Sequence, residues 1–397
     1  MSHNYTKKSY CGLVTNANEL NNSIKRFWEI ENCPDFEIPT MSREEKLCEE
    51  HFTSTYNRDE TGRFIVKLPL SRDPSCLGDS KQMALRRLNS LWRRLAQDPK
   101  ILELYRNFIH EYLEMGHMDE VVEEESLNSL QLNGGVIQRD LFSILLNFRA
   151  RKFAVTADIK KMFRMILIDE SQRDLLRIVW KDKIDSPVKI FRLTTVTYGT
   201  KSAPYLATRS LKQLVIDDGD KYSLAAEVIM SDVYMDDLLT GADDLESGRK
   251  LQVQLVSMLK DAGMELHKWS ASNPLLLPNS MCQVKDLSYS SSTETKTLGL
   301  LWKPHPDSFA FKISPMTSNC DNLIVTKKSV ISTIARIFDP LGLTGPVITS
   351  AKILLQSLWQ LKLDWNDPLP SNLVSYWKFF IDALEYINYL DIPRYCL

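Results

Sequence analysis

Between Phe153 and Asp261, apolar runs of strand length alternate with stretches of helical period. Residues 153–157, 175–180 and 188–193 read as strands, and 203–216 and 245–261 read as helices. That interleaving predicts an α+β domain with helices packed on one face of a sheet. Its centre is the segment 227–241, EVIMSDVYMDDLLTG. Val228, Ile229, Met230, Val233 and Tyr234 are strand formers, and Leu238, Leu239 and Thr240 resume the strand. The segment therefore predicts strand, tight turn, strand, with Asp236 and Asp237 at the tip.

An isolated Asp-Asp pair reads first as a solvated turn, because Asp favours turns. Adjacent acids also repel, and their pKa values rise unless a cation or solvent compensates. A third acid shifts the balance. Asp158 closes the run Phe153-Ala154-Val155-Thr156-Ala157. Two strand ends carrying acids can converge on a pair of divalent ions roughly 3.5–4 Å apart, which is the requirement of two-metal phosphoryl chemistry. Asp158 and Asp236 are the natural ligands, since carboxylate oxygens suit Mg2+. Asp237 is either a third ligand or the support of its neighbour.

Two further segments suit a nucleotide. Phe163 lies five residues after Asp158. A ring there would lie against an incoming sugar and clash with a 2'-hydroxyl; the alternative is a core aromatic. The run Tyr198-Gly199-Thr200-Lys201-Ser202-Ala203-Pro204 joins a strand to a helix. Its glycine permits close backbone approach, and a helix N-terminus favours anions.

The rest of the chain gives weaker signals. At 397 residues it has room for two or three domains. A net charge of -2 decides nothing about nucleic acid, because a local basic track is sufficient. Leu85, Leu88, Trp92 and Leu95 recur at helical spacing from Ser80, with Arg86, Arg87, Arg93 and Arg94 largely off that stripe. This basic face is either a solvated surface or a phosphate-binding face. A second helix is expected over 99–115, a short helical patch over 24–30, a strand ended by Pro69, and a helical pattern at Leu141, Ile144, Leu145 and Phe148. A polar linker at 288–296 precedes a strand-like 298–302 and a helical region from Lys328, broken at 339–342 and 365–368. The seven cysteines form no C-x-x-C pair, which argues against zinc and against a disulfide framework and fits a reducing compartment. The polar N-terminus is not a signal peptide, and no apolar run reaches membrane-spanning length.

Taken in order, Asp158 with Phe163, Tyr-Gly-x-x-Ser-Ala-Pro from Tyr198, and Tyr234-Met235-Asp236-Asp237 resemble reverse transcriptases. The finer text resembles the reverse-transcriptase region of BEL/Pao-type long-terminal-repeat retrotransposon Pol polyproteins. Arg26-Phe27-Trp28-Glu29-Ile30, Gly62-Arg63-Phe64-Ile65-Val66, Gly116-His117-Met118, Leu266-His267-Lys268-Trp269 and Phe338-Asp339-Pro340-Leu341-Gly342-Leu343 carry that likeness. The resemblance implies an α+β fold: a right-hand polymerase palm with incomplete fingers, followed by a thumb- or connection-like, largely helical C-terminal region. It implies an N-terminal extension at 1–79, a fingers-like region at 80–150, the palm at 151–270, and a primer-grip and thumb-like region at 271–397 before a missing ribonuclease H.

The same resemblance implies an RNA-directed DNA polymerase that adds dNTPs to a primer end. Asp158, Asp236 and Asp237 would be its catalytic, metal-binding carboxylates, holding two Mg2+ ions, with Mn2+ as the substitute. Ile159, Phe163, Tyr198, Gly199 and Lys268 would border the nucleotide, with Lys268 near the leaving phosphate. Leu298, Gly299 and Leu300 would grip the primer. Expected partners are an RNA or DNA template-primer, dNTPs and other Pol and Gag products, with no membrane. The expected location is the cytoplasm or virus-like particles.

One departure stands out. Families of this class carry a Lys/Arg-bearing fingers strand where Glu123-Glu124-Glu125 here runs straight into Ser126-Leu127-Asn128. Those cations would hold the triphosphate. Three alternatives follow: a working polymerase, a degraded or mis-spliced copy that binds nucleic acid at most, and an unrelated α+β binding domain whose acids are turn residues.

Overall fold

A computed structural model describes residues 41–76, 81–121, 130–183, 185–278, 295–312, 325–335, 337–361 and 363–395. The helical patch expected at 24–30 and the 123–128 junction lie outside them, as does most of the 288–296 linker.

Helix α1 (Arg43–Thr55) opens with a capping box in which Ser42 and Glu45 bond each other's backbone N–H. Strands β1 (Asn57–Arg58) and β2 (Phe64–Val66) form a hairpin, and helices α2 (Lys81–Leu95) and α3 (Pro99–Glu114) follow. Leu88, Trp92 and Leu95 are buried while Arg86, Arg87, Arg93 and Arg94 are exposed, as the stripe requires. Strand β3 (Met118–Val121), absent from the sequence reading, leads to helix α4 (Leu141–Ala150), capped by Asp140.

The remaining elements include strands β4 (Phe153–Ile159), β5 (Leu167–Ile168), β6 (Arg177–Trp180) and β7 (Lys189–Leu193). Helices α5 (Ala203–Asp218) and α6 (Ser223–Ser231) precede the hairpin β8 (Val233–Tyr234) and β9 (Asp237–Ala242). Helix α7 (Leu245–Asp261) and strand β10 (Leu266–Ala271) complete this part. Beyond it lie β11 (Thr295–Thr297), β12 (Leu300–Lys303), β13 (Ser308–Ala310), helices α8 (Lys327–Ile334), α9 (Gly345–Gln360) and α10 (Ser371–Leu384), and β14 (Asp391–Pro393).

Among the described residues the strands assemble into four sheets, of which the central one has the order β10-β4-β9-β8 and is antiparallel throughout. Its two faces follow from strand alternation. Ala157, Ile159 and Leu238 face the main core with Leu206, Leu251 and Leu255 of α5 and α7. Ala154 and Leu239 face the other way, against Ile144, Leu145 and Phe148 of α4 and against Leu300, Trp302 and Phe309. Helices therefore cover both faces, not the single face expected, because Ile144, Leu145 and Phe148 on α4 give it an apolar stripe of its own.

Three boundaries differ from the sequence reading. Val228, Ile229 and Met230 lie on α6, not on a strand. Ala225, Val228 and Ile229 are buried at positions i, i+3 and i+4, so helical burial overrides their strand propensity. Leu175 closes a 3-10 turn and the strand starts at Arg177. Leu298 and Gly299 form the turn before β12, both at positive φ (49° and 84°), which is the geometry a two-residue hairpin of the primed type needs. A side chain at Gly299 would collide with the Phe338 ring.

The C-terminal strand closes an outer sheet of order β11-β12-β13-β14. Arg394 behind it is fully buried. Its Nε and Nη2 donate to the two carboxylate oxygens of Asp307 at 2.7 and 2.8 Å. Its remaining N–H groups donate to the carbonyls of Phe148, Arg151 and Lys152, just at the end of α4. A cation on orphan carbonyls is a favourable C-terminal cap.

Candidate active site

Asp158 sits near the end of β4, directly opposite Asp237 on β9 and His267 on β10. Tyr234 pairs with Asp237 in turn. His267, Asp158, Asp237 and Tyr234 thus form one row across the central sheet, on the face that carries Ala154 and Leu239. Met235 and Asp236 make the two-residue turn between β8 and β9. Met235 has φ 56°, and its N–H donates to Gln138 Oε1 at 2.8 Å. The Ile159 N–H donates to the Asp236 carbonyl at 2.7 Å, which fixes the turn beside β4.

The hairpin is braced from behind. Buried Asp232 accepts from Thr240 Oγ1 at 2.7 Å, from Ser231 Oγ at 2.9 Å and from Asn147 Nδ2 at 3.2 Å. Neither Gln138 nor Asp232 was flagged by the sequence, since a lone Gln in a loop and an Asp ahead of a strand carry no pattern.

Electrostatics follow from this crowding. Burial, then the neighbouring Asp236 and Asp158 charges, push Asp237 up to about 6. Burial and the Asp158 charge also raise Asp236, while Lys268 and His267 oppose that. Asp158 is engaged on both oxygens. His267 Nε2 lies 2.5 Å from Oδ1, and Lys268 Nζ donates to Oδ2 at 3.0 Å.

The donor set suits a hard divalent cation: carboxylate oxygens whose mutual repulsion a cation would relieve. Among the described residues, no three His, Cys, Asp or Glu side chains converge as a ready metal cluster. The residues that would hold such a cation are Asp158, Asp236 and Asp237, the first of them bonded to His267 and Lys268.

Phe163 is buried, on a 3-10 turn, and its ring lies 4.4 Å from that of exposed Tyr198. Desolvation first, and then the Asp236 charge, raise the Tyr198 hydroxyl above its ordinary value. Gly199 follows at φ 83° with open space around it. The Ile159 side chain is buried in the main core, and only its backbone reaches the site. Leu300 packs with Ala154 and Leu239, which sets the Leu298-Gly299 turn on the same face as Asp158.

Behind Phe163 lies a cluster of cations. Arg164 stacks on Tyr112 at 4.0 Å and approaches Glu111 at 3.6 Å; Lys161 also pairs with Glu111. Buried His117 packs edge-on against Tyr112. Burial, followed by the Arg164, Arg63 and Lys161 charges, lowers its pKa to about 4. The folded chain thus keeps His117 neutral where the unfolded chain, near its ordinary value of about 6.5, takes up a proton. Stability should fall as pH drops from about 6.5 to about 4, by about 3 kcal/mol in total at this site. Urea unfolding against pH, for the chain and for His117→Phe, measures it. Parallel stability–pH curves for the two proteins would remove His117 as the cause.

Residues 326–397 match the family described as Pao retrotransposon-like RNaseH-like domain. In this chain that stretch holds α8, α9, α10 and β14. No curated protein matches. Among solved structures, the foamy viral protease-reverse transcriptase in complex with RNA/DNA hybrid is similar at 15% identity and a TM-score of 0.50. That similarity covers 74% of this chain and 37% of that one. The foamy viral protease-reverse transcriptase dRH in complex with ds DNA gives 15% identity and a TM-score of 0.48, covering 69% of this chain and 46% of that one. The chain therefore spans less than half of either polypeptide. The first of these likenesses bears on fold alone. It is a mixed α/β fold resembling a retroviral Pol enzyme, and its C-terminal stretch matches a retrotransposon family. No described helix is long and apolar enough to cross a membrane.

Proposed function

We propose that this chain is the reverse-transcriptase part of a retroelement Pol protein, with the central sheet as its palm. The observation that carries the reading is the direct cross-strand pairing of Asp158 with Asp237, beside the Asp236 turn. Like charges opposite one another destabilise a sheet, so such a pair calls for a compensating cation. Mg2+ bound by Asp158, Asp236 and Asp237 would activate a primer hydroxyl and neutralise the phosphates.

The chain's own residues do the rest. The Phe163–Tyr198 ring pair offers a flat wall for a sugar, and Gly199 lets backbone approach a ligand. The Leu298-Gly299 turn stands on the catalytic face, where a primer end would lie. Exposed Arg86, Arg87, Arg93 and Arg94 on α2 suit backbone phosphates. The ligand of the foamy viral enzyme at a TM-score of 0.50, an RNA/DNA hybrid, agrees in kind with a template-primer.

The test is single-turnover addition of one dNTP to a labelled primer on an RNA or DNA template. Slow extension is expected, reduced by roughly 10²–10³ in Asp236→Asn. Duplex affinity should stay unchanged in that variant and should fall steeply with salt. Extension that survives Asp236→Asn, or no duplex binding at low salt, overturns the reading.

A further inference from the structure

Strand β10 breaks its own alternation at the site. In a regular strand, His267 and Lys268 would point to opposite faces. Between His267 and Ser270 the register with β4 shifts, and Lys268 takes φ 51°, which L residues avoid. The bulge re-aims Lys268, so that both neighbours reach the same carboxylate, at 2.5 and 3.0 Å. Strained backbone of this kind concentrates where function requires it.

The two groups are held differently. The Lys268 side chain is 70% exposed, and that of His267 is 31% exposed. The ammonium lies at the solvent edge on a flexible stem, while the imidazole sits in the cross-strand row opposite Asp158. The Lys268 charge also reaches Asp236 and Asp237. It thus brings a positive charge to the acids that would hold a divalent cation.

We infer that the β10 bulge stores Lys268 on Asp158 as a resident counter-ion that an arriving divalent cation must displace, while His267 keeps the carboxylate facing the site. This rests on the proposed reading of the three acids as metal ligands. His267 is on this account a positioning residue, acting through Asp158. Release of Lys268 frees a cation beside the site at the moment the carboxylates become occupied. The exchange gives Lys268 two stations, one on Asp158 and one toward an incoming phosphate.

The experiment is a titration of the full chain with Mn2+ at one fixed pH, with free Mn2+ read by electron paramagnetic resonance. Asp236→Asn defines the component that belongs to this site. Lys268→Gln should bind Mn2+ about 5- to 10-fold more tightly, because a competing charge at contact distance is gone. Lys268→Gly, which also relaxes the backbone, should do the same, and Lys268→Arg should stay near the parent. His267→Ala should weaken binding several-fold, and His267→Gln should restore it. Unchanged or weaker Mn2+ binding in Lys268→Gln, with the Asp236-dependent component present, overturns the exchange and leaves the metal site standing. Absence of any Asp236-dependent Mn2+ component overturns the exchange together with the catalytic reading.

Discussion

Inserting a related fingers segment between Glu125 and Ser126 is expected to raise dNTP incorporation by at least roughly 10²–10³, the worth of one such contact. On the proposed reading the site has acids for metals, but three nearby cations are already engaged. Lys161 pairs with Glu111, Arg164 stacks on Tyr112, and Lys268 holds Asp158. Of these three, Lys268 alone becomes available to a triphosphate on the proposed exchange. Each preorganised charge-stabilising contact is worth about 10²–10³ in rate, and the resemblance implies that at least two are gone. The fold should tolerate the insertion. The chain enters the region from β3, paired along its length with β7, and leaves it at Leu130 and Gln131, bonded to Ser71 and bridged to Leu70. Both ends are anchored independently of what lies between. Duplex affinity should change less than rate, because phosphate contacts are spread over many residues. The measurement is incorporation rate and template-primer affinity against salt for both chains. Equal rates would mean that the phosphate grip has another source.

The second large effect concerns stability. Arg394→Ala should destabilise the chain by about 3–5 kcal/mol, the range for breaking a buried ion pair from one side. The guanidinium is fully buried, and each of its N–H groups is spent on Asp307 or on carbonyls at the end of α4. Removing it strands the Asp307 carboxylate, which also accepts from Trp302 Nε1 at 2.9 Å. Trp302 is itself buried, so its fluorescence in urea reports the transition. Arg394→Lys should lose most of the same energy, since an ammonium cannot span the carboxylate and the carbonyls together. Arg394→Met combined with Asp307→Leu should cost less than Arg394→Ala alone, because no unpaired charge remains. A loss below about 1 kcal/mol in Arg394→Ala would place the clamp among surface pairs in strength.

Much of the site's frame was legible because its signals are local. Strand β4 ending in Asp158, the turn at Asp236, and helices α5 and α7 follow from periodicity and from where acids and glycines interrupt it. What was hidden depends on pairing. His267 belongs to a quoted motif, yet nothing in Leu266-His267-Lys268-Trp269 says that β10 lies beside β4 in the register that faces it to Asp158. The re-aiming of Lys268 needs a bulge, which one residue's φ decides. Helix α6 was misread because Val228 and Ile229 satisfy strand and helix patterns equally over so short a run. The role of Arg394 was out of reach, since its partners lie near Asp307 and Phe148, far back in the chain.

That last distance has a consequence during synthesis. The central sheet can pair once β10 has been made, but the outer sheet stays open at β13, and the carbonyls at the end of α4 stay uncapped, until β14 and Arg394 have been made. At about 5–20 residues per second, β14 follows β13 by roughly 4–17 s. For that interval a nascent chain carries an unpaired β13 edge. Ribosome-bound chains arrested before residue 391 should therefore recruit chaperones that chains released after residue 394 no longer hold.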